Sequence, residues 1–123
     1  MVFTALNYKE TMELLINKNE TDGDIQLSIM DSYGRAFCML NYYEKEKHAM
    51  FFSNFCVNEE NRSCGLGSIM INYVMKYARE LGCEYFYIEV EIYNEWVCDW
   101  YERLGFVGYK NNEDRISMFK KLN

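Results

Sequence analysis

Between Ile25 and Val57 the chain alternates apolar and polar residues three times over, and after Gly65 that alternation gives way to a helical period. This order, sheet first and then helix and strand interleaved, constrains the fold more than any other feature. Ile25, Leu27 and Ile29 alternate with Gln26 and Ser28, the period-2 pattern of a strand with one buried face. Asp31–Gly34 turns the chain. Ala36, Cys38, Leu40 and Tyr42 repeat the pattern up to a charged tip at Glu44–Lys47. In the third run Ala49, Phe51, Ser53, Phe55 and Val57 are expected on one face, with Phe52, Asn54 and Cys56 on the other. Connections this short join antiparallel neighbours, so the three runs read as a meander.

From Gly65 to Leu81, apolar Ile69, Tyr73, Val74, Tyr77, Ala78 and Leu81 recur at three and four, and Gly82 supplies the stop. Phe86, Ile88, Val90 and Ile92 then alternate with Tyr85, Tyr87, Glu89 and Glu91 as a strand. Asn94 is placed to cap a last helix carrying Val97, Trp100, Tyr101 and Leu104, ended by Gly105. Phe106–Tyr109 and Ile116–Leu122 read as two short strands. Upstream, Val2–Leu6 reads as a strand. Asn7–Asn17 reads as a helix, capped by Asn7 with Glu10 reaching back, and with Met12, Leu15 and Ile16 on one face. The class is α+β, helices on a mixed sheet.

The 123 residues allow one domain, 1–123, because two cores would each be too small to offset chain entropy. With 50% hydrophobic and 17% aromatic residues the chain is not disordered. Thirteen basic against nineteen acidic residues, 13 − 19 = −6, argue against a nucleic-acid partner and fit a cationic one. No apolar stretch is long enough to span a membrane, and no basic start precedes an apolar run, so no membrane partner is expected. Five cysteines, with no C-x-x-C pair, read as reduced thiols of a cytoplasmic chain. The single histidine, His48, leaves too few ligands for zinc and too few bases for a Ser-His-Asp triad.

The richest segment runs from Val57 to Ser68. A strand ends, and Arg62, Ser63, Cys64, Gly65, Leu66 and Gly67 come where a helix begins. Residues without Cβ let backbone N–H groups crowd onto a ligand, and a helix start adds unpaired donors and a positive dipole end. That is an anion cradle to which Arg62 can add a fork of donors. A P-loop would need Lys where Ser68 stands, and a dinucleotide fingerprint would need a small residue where Met70 stands. Two glycines capping a helix, with no ligand, remain an open reading of the loop alone.

Together with the strand and helix downstream of it, the loop resembles the GNAT family of N-acetyltransferases. That family's acyl-CoA loop, Arg/Gln-x-x-Gly-x-Gly/Ala, is matched by Arg62-x-x-Gly65-x-Gly67. Its next motif, Leu-Glu-Val-Arg-x-x-Asn-x-x-Ala-x-x-Leu-Tyr-x-x-x-Gly-Phe, is matched by Ile88-Glu89-Val90-Glu91-x-x-Asn94-x-x-Val97-x-x-Trp100-Tyr101-x-x-x-Gly105-Phe106. Glu91 replaces the usual Arg, Trp100 replaces Leu, and no proline precedes the loop. The resemblance implies a mixed, mostly antiparallel twisted sheet with helices on both faces. The N-terminal helical part, which in the family walls the acceptor pocket, is shortened here.

It also implies acetyl-CoA as acyl donor, its pyrophosphate on Arg62–Ser68 and its pantetheine arm along Phe55, Cys56 and Val57, with Asn94 and Tyr101 nearby. Tyr101 is then the position of the acid that meets the leaving thiolate. Glu89 is the position of the base in the branch that acetylates protein N-termini. The same residues have plainer readings. Tyr101 can pack beside Trp100, and Glu89 and Glu91 can be solvated carboxylates sharing one strand face. Cys64 and Cys98 could be thiols activated by a helix start or small core residues. Met70, Met75, Trp96 and Trp100 read as core or pocket lining. The expected activity is N-acetyl transfer to a primary amine by direct attack, the acceptor being a protein N-terminus, a lysine, a polyamine or an amino-sugar. A non-catalytic acyl-CoA-binding or interaction domain is the alternative, and a homodimer in which a second chain supplies the missing wall is compatible with both.

Overall fold

The computed structural model describes residues 2–6, 11–57 and 66–122. In chain order the elements are β1 (Val2–Leu6), β2 (Thr11–Thr21), β3 (Asp24–Asp31), β4 (Ala36–Tyr42), a 3-10 turn (Glu44–Glu46), β5 (Ala49–Val57), α1 (Leu66–Glu80), β6 (Tyr85–Glu91), α2 (Glu95–Arg103), β7 (Val107–Asn112) and β8 (Arg115–Lys121). The strands form one sheet in the order β1-β2-β3-β4-β5-β6-β8-β7. Every pairing is antiparallel except β5 with β6. A parallel neighbour needs a crossover, and α1 supplies it.

The meander and both later helices fall where periodicity puts them. Asp22 and Gly23 turn β2 into β3 with φ of 51° and 88°, and Gly82 and Gly105 end the helices at 87° and 99°, a conformation that glycine enters without a Cβ penalty. The helix expected over Asn7–Asn17 is a correction. Residues 7–10 lie outside the described residues, and from Thr11 the chain is strand. β2 pairs with β3 from Leu14↔Asp31 to Thr21↔Asp24, and Leu14 and Ile16 are buried while Leu15 is 39% exposed. A ladder of eight residues outweighs a local helical spacing worth tenths of a kcal/mol per residue.

A second correction concerns β5. Met39 pairs with Asn54 and Leu40 with Phe52, so one residue of β5 is extra. This bulge breaks the strict alternation that placed Phe51 and Phe55 together. Phe55, opposite Cys38, joins Phe52 on the core side, and Phe51 faces the other way.

The core lies on one face of the sheet. Leu27, Ile29, Cys38, Leu40, Met50, Phe86 and Met118 present that face and are at most 2% exposed. Burial of each large side chain contributes about 1.5–3 kcal/mol. Met70, Ile71, Val74, Met75 and Ala78 of α1 and Tyr101 of α2 cover it in one cluster. Both described helices thus cover one face, and the N-terminal segment expected to add a further helix is the strand β2 from Thr11. On the opposite face Phe51, Tyr87, Phe119 and Val107 occupy one register row across β5, β6, β8 and β7.

At the β3–β4 turn the Asp31 carboxylate is fully buried and takes Nε and Nη2 of Arg35. Burial alone would raise its pKa, but the hydrogen bonds and charge of Arg35 hold it below the usual value.

Candidate active site

β5 and β6 pair only at Ala49↔Tyr85, Met50↔Phe86 and Phe51↔Tyr87. Beyond that point, among the described residues, each strand is held on its outer side alone. β5 runs on to Val57 against β4, and β6 runs on to Glu91 against β8. Six residues of β5, a length of roughly 20 Å, therefore turn an edge without a ladder partner among the described residues toward the opening. An extended ligand bearing amide groups can pair with such an edge as an added strand would.

Aromatic packing holds the opening on the helix side. The Phe55 ring stacks on Trp100 of α2 at 5.8 Å between centroids, which accounts for a tryptophan at that helix position. Gly67, in the first turn of α1, faces the same pair, and a Cβ there would meet Phe55 and Trp100 at 3.5 Å. That is ordinary contact, so packing alone would admit alanine there. Cys56 and Val57 lie on the stretch of β5 beyond its pairs with β6, and Leu66, Gly67 and Ser68 open α1. Arg62, Ser63, Cys64 and Gly65 lie outside the described residues.

Tyr101 is buried at 5% exposure, against Trp100 and Phe106 with centroids 4.9 and 5.3 Å away. Burial pushes its phenol well above the ordinary tyrosine value, with a smaller contribution from Cys38. Cys38 is the strand partner of Phe55, and Tyr101 packs in the same core cluster as both. Glu89 sits beyond the last β5–β6 pair, exposed on the opposite face of β6 and across from Ser117. Acid and base candidates thus flank the opening from its two sides.

Asn94 stands at the N-cap of α2, but its side chain makes no capping hydrogen bond. Instead its backbone carbonyl accepts from the N–H groups of Val97 and Cys98. Glu91 lies 3.9 Å from Arg115, its strand partner, and a side-chain hydrogen bond ties Tyr93 to it, raising the tyrosine's pKa. Of the two readings of Cys98, the structure favours the packed one: it lies against the core, and burial and the nearby Glu102 and Asp99 raise its thiol pKa, the reverse of an activated nucleophile. Among the described residues, Cys38, Cys83 and Cys98 are thiols outside any disulfide. His48 is an exposed hairpin residue 3.8 Å from Glu84. Met70 and Met75 are core, whereas Trp96 is 52% exposed. Sequence reasoning missed Cys38 beside Tyr101 and Arg115 beside Glu91, because both contacts depend on strand register. Among the described residues no His/Cys/Asp/Glu group could hold a metal ion, and no helix is long and apolar enough to cross a membrane.

An open parallel pair with a helix starting beside it is an arrangement able to seat an extended, amide-bearing ligand. The sequence profile of the Acetyltransferase (GNAT) family matches residues 25–106. The chain belongs to that family, whose members are acetyl-CoA-dependent acetyltransferases. Solved structures share the fold at low identity. The ribosomal-protein-S18-alanine N-acetyltransferase of Escherichia coli superposes with a TM-score of 0.69 at 17% identity, covering 85% of this chain and 72% of that one. Ard1 from Thermoplasma volcanium gives 0.67 at 19%, covering 78% and 69%. A Bacillus anthracis protein assigned as a streptothricin acetyltransferase, crystallised with acetyl coenzyme A, gives 0.68 at 19%, covering 85% and 65%. No curated protein sequence matches the chain.

Proposed function

We propose that the chain is an N-acetyltransferase that moves the acetyl group of acetyl-CoA to a primary amine by direct attack. The opening between β5 and β6 carries this reading, since it offers a free strand edge ending beside the start of α1. Phe55, Cys56 and Val57 would pair with the pantetheine amides through their backbone. The segment Arg62–Ser68, with Asn94 and Tyr101 near it, would complete the donor site. Gly67 and Ser68 fit that assignment, because the first turn of a helix offers N–H groups without intrahelical partners.

An amine attacks only after losing a proton, and free amines hold theirs with reference pKa values of about 8 to 10.4. Glu89 would accept that proton, directly or through water, on the face opposite the helices. As the C–N bond forms and the C–S bond breaks, the departing sulfur needs a proton, which the Tyr101 hydroxyl would donate. Burial keeps that phenol protonated, as an acid requires. The acceptor would be a protein N-terminus, a lysine, a polyamine or an amino-sugar, a cationic choice in keeping with the net charge of −6. A protein N-terminus would suit Ile88-Glu89-Val90, which resembles the Leu-Glu-Val of the branch that acetylates protein N-termini.

The test is Tyr101→Phe, assayed by CoA thiol release over a panel of these amines, with acetyl-CoA affinity measured by calorimetry. We expect kcat to fall roughly a hundredfold at unchanged affinity. Full activity in the variant would remove the acid role. Tight acetyl-CoA binding by the wild type with no thiol release on any amine would favour a non-catalytic acyl-CoA-binding domain.

A further inference from the structure

We infer that Trp100 is a positioning residue that locks the first turn of α1 to the end of β5, so that the diphosphate and the pantetheine arm of the donor are gripped together, a role that rests on the donor site proposed above.

Separate elements serve the two parts of that donor. The arm is assigned to β5 at Phe55, Cys56 and Val57, and the first turn of α1, at Gly67 and Ser68, belongs to the diphosphate end. Trp100, half-buried on α2, reaches both elements. Its ring stacks on Phe55 at 5.8 Å between centroids, with 28° between the planes. The far edge of the indole meets α1. A Cβ on Gly67 would stand 3.5 Å from Cζ2 and 3.7 Å from Cη2 of Trp100, and 3.5 Å from Cζ of Phe55. Three elements therefore converge on one spot.

The indole is braced on another side as well. Tyr101 meets it at 4.9 Å and 65°, and Tyr101 is itself wedged against Phe106 at 5.3 Å. A ring packed between other rings has little room to shift, and close-packed neighbours pass a displacement on. A leucine at this position could cover the core with the same face of α2. It lacks the atoms that touch Gly67, and so does a phenylalanine.

The contact matters because diphosphate and arm belong to one covalent ligand. Binding one part raises the effective concentration of the other only when the second element stands at the right distance. Hydrogen bonds from backbone N–H groups act over about 2.7–3.2 Å. A displacement of α1 against β5 by about 1 Å would uncouple the two grips while leaving both elements folded.

The test is calorimetry on the full chain with acetyl-CoA and with pantetheine, which keeps the amide-bearing arm and lacks the diphosphate. Trp100→Leu should weaken acetyl-CoA at least roughly tenfold and pantetheine less than about twofold, with far-UV circular dichroism unchanged. Trp100→Phe keeps a ring beside Phe55 but loses the atoms next to Gly67. It should weaken acetyl-CoA in the same selective way by about threefold, and it decides the matter should the leucine variant not fold. Equal weakening of both ligands would put Trp100 against the arm itself, and unchanged acetyl-CoA affinity would leave it no part in holding the donor. Either result overturns the positioning role and leaves the donor site standing. A wild type that does not bind acetyl-CoA overturns the donor reading and the positioning role with it.

Discussion

The two faces of this sheet are built from the same strands and differ in what they ask of a side chain. On the helix side Phe86, Leu40 and Met118 have no exposed surface, and α1 and α2 close over them. On the other side Phe51 stacks on Tyr87, Tyr87 meets Phe119, and among the described residues no helix covers them. The first face holds the fold together, and the second holds surface in reserve. The opening between β5 and β6 connects them, with Tyr101 below and Glu89 above.

Substitutions can probe the contrast. Phe86→Ala should cost about 3–5 kcal/mol in chemical denaturation, because a ring with no exposed surface leaves a cavity that rigid strands cannot fill. Met30→Ala, on the reverse face of β3 and 41% exposed, should change stability by less than about 0.5 kcal/mol. Similar losses at both positions would dissolve the distinction. Arg35→Ala should cost about 3 kcal/mol, since it leaves the Asp31 charge buried without its partner. The Asp31 pKa is depressed in the folded chain, so the pair's contribution is present above the unfolded value near 3.9 and fades as pH falls below it. Urea midpoints of wild type and Arg35→Ala should therefore converge below about pH 4.

A pH-dependent effect concerns Tyr101. Its folded pKa is raised, so the neutral phenol's stabilising contribution is complete below the unfolded value of about 10 and is lost as pH climbs beyond it. Wild type should lose stability between about pH 10 and 11 faster than Tyr101→Phe does. Parallel curves would place the hydroxyl in water.

Strands with one buried face were legible because alternation and burial coincide. Ile25–Ile29 and Phe86–Val90 needed nothing beyond their own order. Thr11–Thr21 was not, since Leu14, Leu15 and Ile16 suit either period and the ladder to β3, absent from local sequence, decides between them. The β5 bulge was hidden for the same reason: two-versus-one pairing against Met39 and Leu40 belongs to the pair of strands. At the candidate site, Tyr101 and Glu89 are proposed through a motif resemblance. The Tyr101–Cys38 and Glu91–Arg115 neighbourhoods arise from register alone.

Whether the free edge of β5 holds the donor can be read by hydrogen exchange with and without acetyl-CoA, at the amides of Phe55, Cys56 and Val57. Saturating acetyl-CoA should slow exchange on this stretch and in the first turn of α1 while leaving Ile25–Ile29 unchanged. Binding confirmed by calorimetry with no added protection at Phe55–Val57 would contradict that assignment, because the ligand would then be held somewhere other than the free edge of β5.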